Sequence, residues 1–251
     1  MASDRKTWWI LPGAGALGLA AGWHIVRLLH GDGAFVPYVL GGAVLLAGAL
    51  VAGLAFQKRA GLEARPAKAM VPFGLVVAVV LGLAAGFSIL AFDAFLSLLA
   101  QSASGIPGVP AYPVPGMPAE PEPGARTLIL TPWQGLLASL YAGVVEEIIL
   151  RLFLMSLAVW ALVKLTKKAR PTSSAIWTGL ALVALVSGLV HVPLMASFAA
   201  MSSFLVLRFW LLGIAPAFLY GWLYWKKGIA AAMIAHFTAD FFIFVLVPLI
   251  A

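Results

Sequence analysis

Apolar stretches of about 20 or more residues recur along this chain, at 7–29, 34–56, 70–100, 132–163, 173–192, 198–225 and 228–250. Each is long enough to cross a hydrocarbon core of about 30 Å as a helix rising about 1.5 Å per residue. Of the 251 residues, 63% are hydrophobic and only 10% charged, against roughly 25% charged in soluble domains, which excludes an ordinary water-soluble protein. In lipid every backbone polar group needs an internal partner, and these stretches lack the polar alternation of barrel strands, so helix is expected throughout. The expected fold is all-α: a polytopic transmembrane helix bundle of about seven to eight spans, the eighth arising if the long third or fourth stretch divides.

Arg5 and Lys6 precede the first stretch as in a signal peptide. The run that follows is too long for a typical signal core and no A-x-A-like site clearly ends it, so an uncleaved first span is expected. The net charge of +7 comes from short tracts between spans: Lys58, Arg59, Arg65 and Lys68; Lys164, Lys167, Lys168 and Arg170; and Lys226 with Lys227. With no basic domain or interleaved aromatic platform these are topology signals and no nucleic acid is expected as a partner. All three tracts fall on one side if the N-terminus is cytoplasmic; membrane lipid is the surrounding partner. The largest loop, 101–131, includes IPGVPAYPVPGMPAEPEPG, and so much proline favours an extended tether over regular helix. The absence of cysteine removes disulfides and thiolate chemistry, leaving His and carboxylate as metal donors.

The fourth stretch contains VVEEIILRLFLMS, placing Glu146, Glu147 and Arg151 in mid-membrane, where an acidic or basic side chain costs roughly 2.5–3.5 kcal/mol on insertion scales. Glu147 and Arg151, four apart with the acid first, suit an ion pair, which leaves Glu146 to find partners on other spans. His191 ends the fifth stretch in SGLVHVP, and His236 and Asp240 share a helix face in the seventh. A carboxylate so placed can orient an imidazole and fix its tautomer. One Glu and two His from separate spans are the parts needed to activate water, directly or through a metal. Straight spans beginning at common planes put these residues at different depths, which asks either for a different boundary to the fifth stretch or for a broken helix, a kink or re-entrant turn at Pro193 and the small and polar residues 196–203. Arg208, also within a span, is expected to pair with Glu146 or Asp93 or to bind a substrate carboxylate, structural pairing being favoured. Trp8, Trp9, Trp222, Tyr224 and Trp225 read as membrane-interface anchors.

The EExxxR of Glu146, Glu147 and Arg151, a histidine on a later span and the HxxxD of His236 and Asp240 resemble the CAAX-prenyl-protease and bacteriocin-processing (CPBP, Abi-like) family of intramembrane proteases. The resemblance covers residues 132–244 and divides the chain into N-terminal spans with the Pro-rich loop, 1–131, and a catalytic membrane core, 132–251. It implies that Glu146 acts with His191 to activate the attacking water. It implies that His236 and Asp240 line the site and stabilise the oxyanion, and that Glu147 and Arg151 hold the site together or contact substrate. One departure is Ser187, where the family's second motif has Phe four residues before the histidine. The resemblance implies an endopeptidase acting on a membrane-associated peptide or protein, of the prenylated CAAX or bacteriocin-precursor kind, in the cell membrane of a prokaryote. Zinc or another divalent metal on Glu146, His191 and His236 is one implied cofactor; a metal-free glutamate mechanism is the other. Outside the resemblance, buried acids and histidines also suit a proton-coupled transporter, although no repeated halves are evident. A catalytically silent immunity or scaffold protein would carry the same fold.

Overall fold

The structure, a computed structural model, describes residues 10–30, 35–62, 72–104, 130–190 and 203–250. Among these residues the chain is all-helical: α1 (Ile10–His30), α2 (Phe35–Arg59), α3 (Pro72–Ser104), α4 (Pro132–Leu165), α5 (Ser173–Val190), α6 (Ser203–Lys227) and α7 (Ile229–Ile250). Five of them, α2, α3, α4, α6 and α7, are long and apolar enough to cross a membrane; the apolar part of α5, Ser173–Leu189, is shorter. Large apolar side chains such as Leu40, Val44, Val51, Val80 and Phe87 stand on the outside of the bundle, which in water would be unfavourable and in lipid costs nothing. The molecule is thus an integral-membrane helix bundle.

Local chemistry sets the helix ends. Thr131 caps α4 in a reciprocal box with Gln134: the Thr131 hydroxyl accepts from the Gln134 amide at 3.4 Å, and Gln134 Oε1 accepts from the Thr131 amide at 2.9 Å. Pro132 follows at a first-turn position that needs no N–H. Between α6 and α7 the turn rests on Gly228, whose φ of 94° lies in the region open to glycine.

α7 is held between two helices that approach its backbone closely. Gly82 and Gly86, four apart on α3, face Ala235 and Ala239 of α7, where any Cβ would press on the Ala235 and Ala239 carbonyls. From the other side Gly143 of α4 lies on the Phe237 backbone, with a hypothetical Cβ 3.0 Å from Phe237 Cα. Small residues at such spacings let membrane helices pack backbone to backbone, where dispersion contacts replace the missing hydrophobic drive. Ala232, Ala235 and Ala239 are fully buried as a result.

The helix ends are not level with one another, which bears on the depths that straight spans predict. The Tyr224 hydroxyl meets Ser156 Oγ at 2.8 Å, and Ser156 lies nine residues inside the end of α4 at Leu165, about 13 Å at 1.5 Å per residue. The α6–α7 turn therefore sits deeper in the bundle than the end of α4, and His236 on α7 reaches Glu147. On α5 the same reasoning applies: Gly179 packs against Val159 of the antiparallel α4, so α5 reaches Val190 close to the level of the Glu146–Glu147 turn. His191 and Pro193 themselves, like the loop 105–129, lie outside the described residues. The Tyr224 contact also corrects the interfacial role expected for that residue, because its side chain is buried between helices.

The described residues of the basic tracts gather at one end of the bundle. Arg59 and Lys164 line one surface recess, Pro171 meets Gly61, Trp177 stands edge-on to Trp225 at 5.7 Å, and Lys226 Nζ lies 3.5 Å over the Trp225 ring.

Arg208 finds its partner on α3. Its Nε and Nη2 donate to Asp93 Oδ1 at 2.5 Å and Oδ2 at 2.7 Å, with both residues buried, a two-pronged pair that ties α3 to α6. Breaking such a pair from one side strands the other charge, at about 3–5 kcal/mol, whereas replacing both partners with apolar residues is nearly neutral. Arg208→Leu alone is therefore expected to lower the thermal midpoint in detergent sharply, and Asp93→Leu/Arg208→Leu to recover most of the loss. A double variant no better than the single one contradicts this.

Candidate active site

The mid-membrane charges of α4 lie in an unusual stretch of helix. Residues Ala142–Glu146 and Ile148–Met155 adopt π-helical turns on either side of Glu147. Closing hydrogen bonds five residues apart instead of four widens the helix and re-aims the side chains beyond it, and such turns are frequent at functional sites. Here Glu147 and Arg151 point fully into the bundle while Glu146 is half-buried.

Glu147 is the hub. Its Oε1 forms an ion pair with Arg151 Nη1, 2.9 Å away along α4, and is hydrogen-bonded to His236 Nδ1 of α7 at 2.7 Å. Arg151 extends the connection to a third helix, since its Nη2 donates to the Ala217 carbonyl of α6 at 3.3 Å. One planar guanidinium thus bridges a carboxylate and a backbone carbonyl on different helices, which a lysine ammonium cannot span in the same way. With Nδ1 engaged, His236 turns Nε2 toward Asp240, whose Oδ2 stands 3.7 Å away, beyond hydrogen-bond length. The residue that hydrogen-bonds the imidazole is therefore Glu147, where the HxxxD spacing alone points to Asp240. The reason is reach: residues four apart on one helix meet side by side, whereas a side chain on a facing helix meets the ring nitrogen head-on.

Tyr220 of α6 completes the cluster and carries no signal in the sequence motifs. Its ring stacks on His236 with centroids 4.6 Å apart and planes inclined at 20°, and Arg151 Cζ lies 5.4 Å from the same ring. Both Tyr220 Oη and Glu147 Oε2 are buried and make no hydrogen bond among the described residues. The hint available in the sequence was position: an aromatic seven residues inside the end of α6, too deep for an interface anchor.

Of the sequence-selected residues, Glu147, Arg151, His236 and Asp240 are brought together, with Glu146 adjacent to Glu147 on α4. Ser187, in place of the aromatic, is buried and donates to the Ala184 carbonyl at 2.9 Å. For a metal, His236 offers a favourable feature: a carboxylate on one ring nitrogen leaves the other to ligate, the usual arrangement around a metal-bound histidine. Among the described residues, however, no three His, Asp or Glu side chains are grouped to hold an ion, and the third implied donor, His191, lies outside them.

The hub gives a direct expectation. Arg151→Met leaves the Glu147 carboxylate buried without its cation, and stability measured by thermal unfolding in detergent is expected to fall by about 3–5 kcal/mol. An unchanged midpoint would show that Arg151 does not balance Glu147.

Comparison with known proteins places these residues in a family context. Residues 128–242 match the model of the family described as type II CAAX prenyl endopeptidase Rce1-like, somewhat under half of the chain and inclusive of Glu146, Glu147, Arg151, His191, His236 and Asp240. No curated protein and no solved structure matches the chain. The segment similar to the Rce1-like CAAX-protease family is therefore the part of this membrane protein that builds the Glu147 cluster.

Proposed function

We propose that this protein is an intramembrane endopeptidase in which Glu146 is the general base and water the nucleophile. The observation that carries the reading is the His236 imidazole, clamped by Glu147 inside a buried, charged cluster within the matched domain. Insertion costs make such a cluster expensive in a bundle that only needs to span the bilayer. Glu146 takes a proton from water as its oxygen adds to the scissile carbonyl. When the C–N bond breaks, that proton passes to the departing amine. His236, with Asp240 beside Nε2, lines the reacting centre, and Glu147 with Arg151 holds the ring in place.

A divalent metal, where bound, would be held by Glu146 and His236 with His191, and would polarise the carbonyl. The holding roles of Glu147 and Arg151 are the same in either form. The substrate class is a membrane-associated peptide or protein, with a prenylated CAAX tail as the first candidate and a bacteriocin-like precursor as the second. The clustering of Lys and Arg at one end of the bundle supports a topology with that end, and the N-terminus, on the cytoplasmic side.

The test is cleavage in proteoliposomes of two internally quenched reporters, a farnesylated CAAX-ended peptide and an unprenylated membrane-spanning peptide. Glu146→Gln is expected to lower kcat by about 10²–10⁴, the usual contribution of a general base, with an unchanged thermal midpoint. Full activity in this variant would eliminate the mechanism.

A further inference from the structure

Two tyrosines one helical turn apart on α6 are both buried, Tyr220 at 2% and Tyr224 at 1% exposure, yet their hydroxyls are treated differently. Tyr224 Oη is bonded to Ser156 Oγ at 2.8 Å, the ordinary solution for a phenol between helices. Tyr220 Oη makes no hydrogen bond among the described residues. Everything else that Tyr220 does could be done by phenylalanine, because stacking on His236 and facing the Arg151 guanidinium need only the ring. A hydroxyl kept in a low-dielectric site without a partner is a standing cost, and it belongs to the ring that stacks on His236 and faces the Arg151 guanidinium.

We infer that the Tyr220 hydroxyl is a substrate-contacting donor that hydrogen-bonds the scissile carbonyl oxygen beside His236; this rests on the endopeptidase reading above. As water adds to the carbonyl carbon, the carbonyl oxygen takes up negative charge and the O–H···O contact shortens and strengthens. When the tetrahedral species collapses, the C–N bond breaks, the amine leaves with the proton first taken from water, and Tyr220 keeps its own. A donor of this type acts mainly in the transition state, so its removal affects turnover more than binding.

Tyr220→Phe preserves the ring and deletes only the hydroxyl, with Tyr224→Phe as the structural comparison. With the reporter that wild type cleaves faster, Tyr220→Phe is expected to lower kcat by about 10²-fold, the scale of one oxyanion donor, with KM changed by less than about threefold. Its thermal midpoint should equal or exceed that of wild type, because an unpartnered polar group has been removed, while Tyr224→Phe should unfold earlier. An unchanged kcat in Tyr220→Phe, beside an active wild type, overturns this inference and leaves the endopeptidase reading standing. A midpoint lowered as in Tyr224→Phe also overturns it, by showing that the hydroxyl is structural. A wild-type protein that cleaves neither reporter overturns both.

Discussion

The Glu147 carboxylate, buried in a medium that cannot solvate it, is the constraint around which the second half of the bundle is organised. A lone carboxylate at that depth is untenable, so one oxygen gathers Arg151 from its own helix and His236 from α7, and Arg151 in turn grips the α6 backbone. Three helices are thereby registered to a single atom. Removing any one partner leaves another charge or ring nitrogen exposed to low dielectric, which is why the cluster acts as a unit and not as a set of separable contacts.

Close packing makes that geometry possible. Gly143 lets α4 approach the Phe237 backbone, and Gly82 with Gly86 lets α3 press on the opposite side of α7, so His236 is delivered to Glu147 by backbone contacts that leave little play. The π turns flanking Glu147 contribute from the other direction by turning Glu147 and Arg151 inward. The Asp93–Arg208 pair holds α3 to α6 at some distance from the cluster, so the helix carrying Tyr220 is fixed at two points.

Much of this was legible in the residues themselves. Apolar run lengths marked the helices, and the four-residue spacing of Glu147 and Arg151 foretold their contact, since neighbours on one helix follow from periodicity alone. Contacts between helices were not legible in that way. The spacing of His236 and Asp240 drew attention to Asp240 as the orienting group, whereas the hydrogen bond to the ring comes from Glu147 across the bundle. Only packing separates the phenol of Tyr224, which finds Ser156, from that of Tyr220, which makes no hydrogen bond among the described residues. Depth failed for a further reason: counting inward from each span's end assumes level ends, and the α6–α7 turn is set well inside the end of α4. His191, on which the resemblance places part of the chemistry, falls beyond the described end of α5.

Glu147 and His236 form one energetic unit on this geometry. A double-mutant cycle with Glu147→Gln, His236→Gln and the combined variant, read as unfolding free energy in detergent, measures this directly. The expected coupling lies between about 0.5 and 3 kcal/mol, the range for residues sharing one buried network. Additive losses, with a coupling of zero, would contradict the shared hub.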